Sequence, residues 1–393
     1  MNENMDEQHD EGKRSLPDNC ENSPAKKFKS ENEEQISNND EKSEEKDIKL
    51  LFKGKPKKMA MMISYCGKGY FGMQRNHGVK TIEEDILTAM YKARLIAHDR
   101  YEKPQLMHFQ RAARTDKGVS AACQIISLKL PPIENFLSVI ELINNNLPPQ
   151  IRVMGLKRAT KNFNAKLSCD ARIYSYILPT FAFSDPTEDI VKTYRIPENR
   201  LQEVNRICRL FHGTHNFHNF TAGRKATDAS AKRYIMSFEC GKPFVQDEIE
   251  FVTLKIKGQS FMLHQIRKMI GLVIAIIRNV TDANCLQRCW SNNRIDIPIA
   301  PSIGLMLEEV CYEKYNKKYG NDGIHQPLLW KDCEKAVNEF KEKFIYPSIV
   351  EAERNENSML NWMSMLKDHT YDVREPSPPK ENLSKDGNSN TQE

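Results

Sequence analysis

The chain has 393 residues, 39% of them hydrophobic, and a formal net charge of +5. At roughly 150 residues per domain this length holds about two to three domains, and the modest hydrophobic fraction speaks against a chain packed along its whole length. The charge is uneven: residues 1–48 carry 7 Lys+Arg against 15 Asp+Glu, residues 371–393 carry 3 against 5, and residues 49–370 keep 48 against 33. A core that basic between acidic tails favours a polyanionic partner, nucleic acid first. The ten cysteines form no C-x-x-C pair, which argues for a reducing compartment and against a disulfide framework or a zinc site. The first fifteen residues are acidic and hold no apolar core, so neither a signal peptide nor a transit peptide is expected. The longest apolar stretch, Phe261 to Val280, is broken by His264, Arg267, Lys268 and Arg278. It is too charged to span a bilayer, so a soluble protein that does not enter membranes is expected.

Residues 1–58 are rich in Glu, Asn, Ser and Lys and read as a disordered tail. Within it, Lys13-Arg14 and Lys26-Lys27-Phe28-Lys29 resemble a bipartite nuclear-import signal, with solvated lysines in a tail as the plain alternative. Met59–Cys66 is an apolar run of strand length. Gly67-Lys68-Gly69-Tyr70-Phe71-Gly72 then matches G-x-G-x-x-G literally. A dinucleotide site needs a helix N-terminus at the pyrophosphate, yet the next helix cap is Thr81, nine residues beyond the last glycine. A nicotinamide or flavin site is therefore rejected, and the glycines are read as shaping a loop whose Tyr70, Gln74 and Arg75 face RNA.

Thr81 to Glu84 forms a capping box, followed by apolar Ile82, Ile86, Ala89 and Met90 at helical spacing. Strands are predicted over Leu106–Gln110 and Gln124–Leu130, a helix over Ile133–Asn145, and a strand over Ile151–Lys157. The second half repeats the order: strand Ile173–Leu178, helix Arg200–Phe211, strands Tyr234–Phe238 and Ile249–Ile256, helix Met262–Arg278, strand Leu305–Val310. Each half reads β-α-β-β-α-β, the ferredoxin-like pattern. An α+β fold is expected, with two ferredoxin-like halves, residues 59–165 and 166–325, whose largely antiparallel sheets flank a central cleft. A helical extension (326–370) and a disordered tail (371–393) follow. His212, His215 and His218 recur every three residues, which is poor geometry for a shared metal on a strand, so polar and aromatic groups lining an RNA cleft are the preferred reading.

Arg111-Ala112-Ala113-Arg114-Thr115-Asp116-Lys117-Gly118-Val119-Ser120-Ala121 falls between the second and third strands, where a scaffold presents chemistry. Flanking Arg114 and Lys117 would hold Asp116 ionised, the form able to act as a nucleophile. An ordinary turn with solvated charges is the competing reading.

These residues closely resemble the RAGRTDxGVHA signature of the TruA family of tRNA pseudouridine synthases. Tyr65–Gln74 resembles the family's YxGxxYxGxQ box, Ala171 to Tyr176 its ARxYxY strand, and Gly258 to Gly271 its long helix with an inward arginine. The FHNFT segment, the helix and the Ile345-Tyr346-Pro347 extension are closest to the eukaryotic branch. Ala113, Ser120 and Met73 depart from the bacterial pattern of Gly, His and Trp, which puts transfer of the bacterial substrate position in doubt.

The resemblance implies an isomerase that converts uridine to pseudouridine in tRNA, with mRNA and other structured RNA as further candidates. No cofactor or metal is implied. It further implies Asp116 as catalytic nucleophile or base, Tyr174 against the target base, Arg267 paired with Asp116, and Arg114 filling the space of the flipped nucleotide. Localisation is expected in the nucleus, with a mitochondrial or cytoplasmic pool as an alternative. Two rival classes stand beside this: a catalytically inactive RNA-binding paralogue or RNA chaperone, against which Asp116 speaks, and a basic scaffold that binds protein, which a steep salt dependence of RNA affinity would exclude.

Overall fold

A computed structural model describes residues 54–187 and 191–373. Ten strands occur in the described chain: β1 (Lys57–Tyr65), β2 (Gln110–Arg111), β3 (Ser120–Leu130), β4 (Ile151–Arg158), β5 (Ala171–Pro179), β6 (Gly213–Asn216), β7 (Lys232–Cys240), β8 (Phe244–Gln246), β9 (Ile249–Gly258) and β10 (Leu305–Cys311). They form one mixed sheet in the order β4-β1-β3-β10-β5-β9-β7-β6, with β2 added to β3 and β8 to β9. Every pairing is antiparallel except β3 with β10. The fold is therefore α+β, as expected, built on one continuous open sheet.

The burial of β1 and β3 follows from their sequences. Met59-Ala60-Met61-Met62-Ile63 has no polar alternation, and such a run is stable only with both faces covered; both strands are buried along nearly their whole length. The helix Ile82–Lys92 begins where the capping box places it, with the Thr81 hydroxyl accepting from the Glu84 amide. Asn135 caps the helix Phe136–Asn144 by accepting from the Leu137 and Ser138 amides.

The helical extension, Glu334–Phe340, Tyr346–Glu356 and Ser358–Ser364, packs on the sheet through Lys341 and the preceding Trp330. Gly155 on β4 is needed for this contact, because a Cβ there would lie 2.8 Å from the Trp330 ring. Lys341 donates to Glu308 Oε1 at 2.7 Å, and Glu308 Oε2 accepts from Ser175 Oγ at 2.7 Å. Ser175 and Tyr174 point to opposite faces of β5, so the extension grips the back of the strand whose front faces the cleft.

Several boundaries differ from expectation. Leu106–Gln110 is not a strand. Pro104 opens a 3₁₀ turn through Met107, His108 takes a left-handed φ of 54°, and only Gln110–Arg111 pair with β3. The long helix starts at Gln265 rather than Met262, because His264 turns the chain at φ 62° first. A helix Glu313–Tyr319 follows β10, unanticipated from the sequence. At the ends, β1 already starts at Lys57. Tyr371, expected in a disordered tail, is buried and donates to Leu366 O at 2.9 Å, and Val373 bridges to Ile295. The two basic clusters at residues 13–14 and 26–29 lie outside the described residues. Among the described residues no helix is long and apolar enough to cross a membrane.

Candidate active site

The parallel pairing of β3 with β10 sets the geometry. Ser120 and Ala121 lie opposite Met306 and Leu307, and Leu307 lies opposite Tyr174 on β5. The loop before β3, which carries Asp116, is thereby brought beside the middle of β5. Gln265–Ile277 supplies the third wall. Eleven of its thirteen residues are buried; Arg267 and Lys268 are the two that are not. Together they enclose a cleft of about 610 Å³ lined by Arg114, Asp116, Tyr174, Phe261, His264 and Arg267, among others. The four expected site residues therefore share one cavity.

The loop is held by its backbone. The Gln124 side chain pairs with both backbone groups of Ala113, accepting from N at 3.1 Å and donating to O at 2.8 Å. Tyr65 OH lies 2.8 Å from Thr115 Oγ1, and burial pushes the Tyr65 phenol up to about 12, so it remains a neutral partner. The glycine box is the loop's clamp. Met73 N donates to Thr115 O, Gly118 N to Tyr70 O, and Gly67 N to Ser120 Oγ. A Cβ on Gly67 would sit 2.3 Å from Val119 O, and one on Gly72, whose φ is +104°, 2.8 Å from Thr115 O. The glycines thus serve close backbone approach. The side chains of Tyr70 and Arg75, expected to face RNA, are engaged within the protein. Tyr70 is buried with its hydroxyl on Asp85, and Arg75 is engaged by Glu84 and Tyr101 O.

Asp116 is the cleft's acid among basic groups. Burial pushes its carboxyl above the usual carboxylate range, and the charges that oppose this are His264 and then Arg267. Arg114 and Lys117, expected to hold it ionised, do not: Arg114 is exposed at the cleft rim, and Lys117 Nζ lies over the Phe71 ring, 4.4 Å from its centroid. His264 Nε2 is 3.7 Å from Asp116 Oδ2, and burial lowers the imidazole's pKa. The expected two-pronged contact of Arg267 with Asp116 is also absent. Arg267 Nε donates to Ala300 O at 2.6 Å, which leaves its charge acting on Asp116 at longer range. Tyr174 is buried, packs edge-on against Phe261 with 5.3 Å between centroids, and has its hydroxyl pKa raised by burial. It can donate a proton in a hydrogen bond but is not an anion at neutral pH.

Two residues of the site carried no sequence-level role. His264 was read only as a charge breaking an apolar run; its left-handed backbone is invisible in composition. Arg172 lies inside the ARxYxY motif. Its guanidinium is buried and donates to Ala112 O at 2.7 and 3.1 Å and to Gln259 O at 3.1 Å, tying the Asp116 loop to the second half of the sheet.

The histidine-rich segment does not line the cleft as expected. Phe217, His218, Asn219 and Phe220 are buried, and His215 stacks on Trp290 at 4.5 Å. Asn219 donates to Cys289 O and Asn293 O and accepts from Ile295 N, each at 2.9 Å. Only the next residues, Thr221, Ala222 and Arg224, reach the cleft. Among the described residues no three His, Cys, Asp or Glu side chains converge as a metal site.

A family model described as tRNA pseudouridine synthase matches residues 207–313. Pseudouridylate synthase 1 homolog of Homo sapiens is 49% identical, over 80% of this chain and 74% of its own length. The protein of the same name from Mus musculus is 47% identical, over 80% and 75%. The chain belongs to the TruA family of tRNA pseudouridine synthases. A fungal relative, tRNA pseudouridine synthase 1 of Yarrowia lipolytica, is 35% identical over 81% of this chain and 75% of its own. The family departures at Ala113, Ser120 and Met73 are accommodated in the site's scaffold: Ala113 is held by Gln124, Ser120 accepts from Gly67, and Met73 is buried.

Proposed function

We propose that this protein isomerises uridine to pseudouridine in tRNA, with mRNA and other structured RNA as further substrates, and that Asp116 is its catalytic nucleophile or base. The observation that carries this reading is the placement of one carboxylate, with no side-chain hydrogen bond among the described residues, in a cleft whose other charged lining residues are Arg, Lys and His, with Tyr174 and Phe261 beside it. The reaction breaks the N1–C1′ bond, rotates the uracil and forms C5–C1′, while the C5 proton is exchanged for one at N1. Substrate and product are isomers, so a positioned carboxylate, a proton donor and a dry pocket suffice. Lys166, Arg224 and Arg233 along the cleft suit a phosphate backbone, and affinity for RNA should fall steeply with salt. A target base must leave its stack to reach Asp116, and Arg114 at the rim is the residue assigned to the vacated space. Tyr174 hydrogen-bonds the base, and Arg267 acts on Asp116 through its charge.

The finer architecture belongs to the same proposal. The orders β4-β1-β3-β2 and β10-β5-β9-β7 support reading residues 59–165 and 166–325 as ferredoxin-like halves. Localisation in the nucleus rests on the Lys13-Arg14 and Lys26–Lys29 clusters. A fusion lacking residues 1–48 should leave the nucleus, and unchanged accumulation there would refute the signal. For the activity, purified protein should convert uridine in an unmodified tRNA transcript. A protein that binds the transcript yet makes no pseudouridine would favour the inactive paralogue.

A further inference from the structure

Asp116, His264 and Arg267 line not one cavity but two. The second, an open depression of about 410 Å³, is completed by Gly69, Tyr70, Phe71, Lys117, Gly118 and Ser302. Single exposed apolar side chains are ordinary on a protein surface, but Phe71 differs in two respects. It is 52% exposed on a loop that is otherwise fixed: its own amide donates to Lys80 O at 2.9 Å, and the residues on either side bond to the Asp116 loop through Gly118 N–Tyr70 O and Met73 N–Thr115 O. It also faces a cavity that opens onto the carboxylate. Lys117 Nζ lies 4.4 Å from the ring centroid, so a cation and an aromatic face are presented together.

This pairing matches what a single nucleotide offers. Unstacked bases bind to aromatic faces, and their phosphates to ammonium groups. We propose that Phe71 and Lys117 form a subsite for a nucleotide adjacent to the target uridine, Phe71 stacking on its base and Lys117 moving from the ring to its phosphate. The proposal rests on the reading of the larger cleft as the seat of the target uridine. Flipping a uridine into that cleft unstacks its neighbours, and a rigid aromatic one cavity away replaces the lost stacking. Stacking is indifferent to base identity, so the subsite selects for an unpaired, splayed neighbour and not for a sequence.

The test uses the full-length protein and synthetic RNA stem–loops with a single unpaired loop uridine as the target, with binding and pseudouridine formation both measured. Phe71→Ala should weaken binding of the intact stem–loop by about tenfold, within the range for loss of one base stack, and Phe71→Trp should restore it. On a stem–loop made abasic at the nucleotide before or after the target, the unsubstituted protein should bind about tenfold more weakly and Phe71→Ala should cost nothing further at one of those two positions. Lys117→Gln should reduce the salt dependence of binding by about one phosphate contact. Equal binding by Phe71→Ala and the unsubstituted protein would overturn the proposal. So would a Phe71→Ala loss that persists in full on both abasic RNAs. Because stacking is read by binding, a protein that shows the Phe71 effect without forming pseudouridine would refute the isomerase reading and leave the subsite standing.

Discussion

The loop Arg111–Ser120 and the segment Phe211–Thr221 share a feature as sequence: both are rich in polar and small residues and carry no long apolar run. In the structure they are opposites. In the first, hydrogen bonds are spent on the backbone by Gln124, Arg172 and the glycine box, and the Asp116 carboxylate accepts none among the described residues. In the second, the side chains themselves are bonded, Asn219 three times over to the backbone of Cys289, Asn293 and Ile295, and Phe217 packs against Trp290. A polar residue is available for chemistry when its surroundings are satisfied without it.

That contrast is sharpest at Asp116. Asp116→Asn should lower turnover on the order of 10³-fold or more. Burial disfavours the ionised form here, so the neutral amide should leave the melting temperature equal or slightly raised. Measurable multiple turnover by the Asn variant, with isomerisation followed by chromatography of nucleosides, would remove Asp116 from its assigned role.

Loosening the clamp should come close behind. Gly67→Ala forces a Cβ into Val119 O and shifts the loop, and displacements of about 1 Å at a reacting group cost about 10²-fold. RNA binding should survive better than turnover; loss of both in equal measure would mean that the box is a binding element rather than a positioning one. Arg267→Lys should cost about 10²-fold in turnover, the scale for one missing charged donor, since a point charge cannot replace a planar fork. Normal rates in both Arg267→Lys and Arg267→Ala would place the residue outside the reaction.

Asn219→Ala tests the other side of the comparison. Two buried backbone groups and one half-buried carbonyl lose their partner, so stability should fall by about 2–3 kcal/mol in urea unfolding, with kcat nearly unchanged below the transition. A large kcat loss at unchanged stability would reverse the assignment of this segment to the scaffold. The smallest effect concerns pH. Because the Asp116 carboxyl is raised, the acid limb of kcat/KM should lie above the ordinary carboxylate range, with activity lost as pH falls through it. His264→Gln removes a charge that opposes the raised pKa once the imidazole protonates, and should move that limb slightly further up. A limb at the pKa of a free aspartate would contradict the burial of the group.

Much of this was legible in the sequence. The strands whose apolar runs are long, β1 and β3, and the capped helix Ile82–Lys92 fall within a few residues of expectation. The loop carrying Asp116, Tyr174 and Arg267 were found through motif resemblance. Their shared cavity depends on two parallel pairs between β3 and β10, and no local pattern encodes a contact between residues so distant in the chain. Burial of the Phe217–Phe220 segment was missed for a related reason. Its polar side chains find partners on Cys289, Asn293 and Ile295, which belong to a helix and loop some seventy residues on. Arg172 could have been singled out, since an arginine within an otherwise apolar strand needs acceptors, but which carbonyls supply them is a tertiary fact.

The pairing of Ser120–Ala121 with Met306–Leu307 also bears on how the protein comes into being. Asp116 belongs to the first half of the chain, Tyr174 and Arg267 to the second, and the seam between them closes only after the ribosome has made β10. Contacts of such long range form late in folding. A nascent or truncated chain ending before Leu305 would therefore hold Asp116 and Arg267 without the strand that pairs with both β3 and β5, and the two halves of the sheet would lack the seam that joins them.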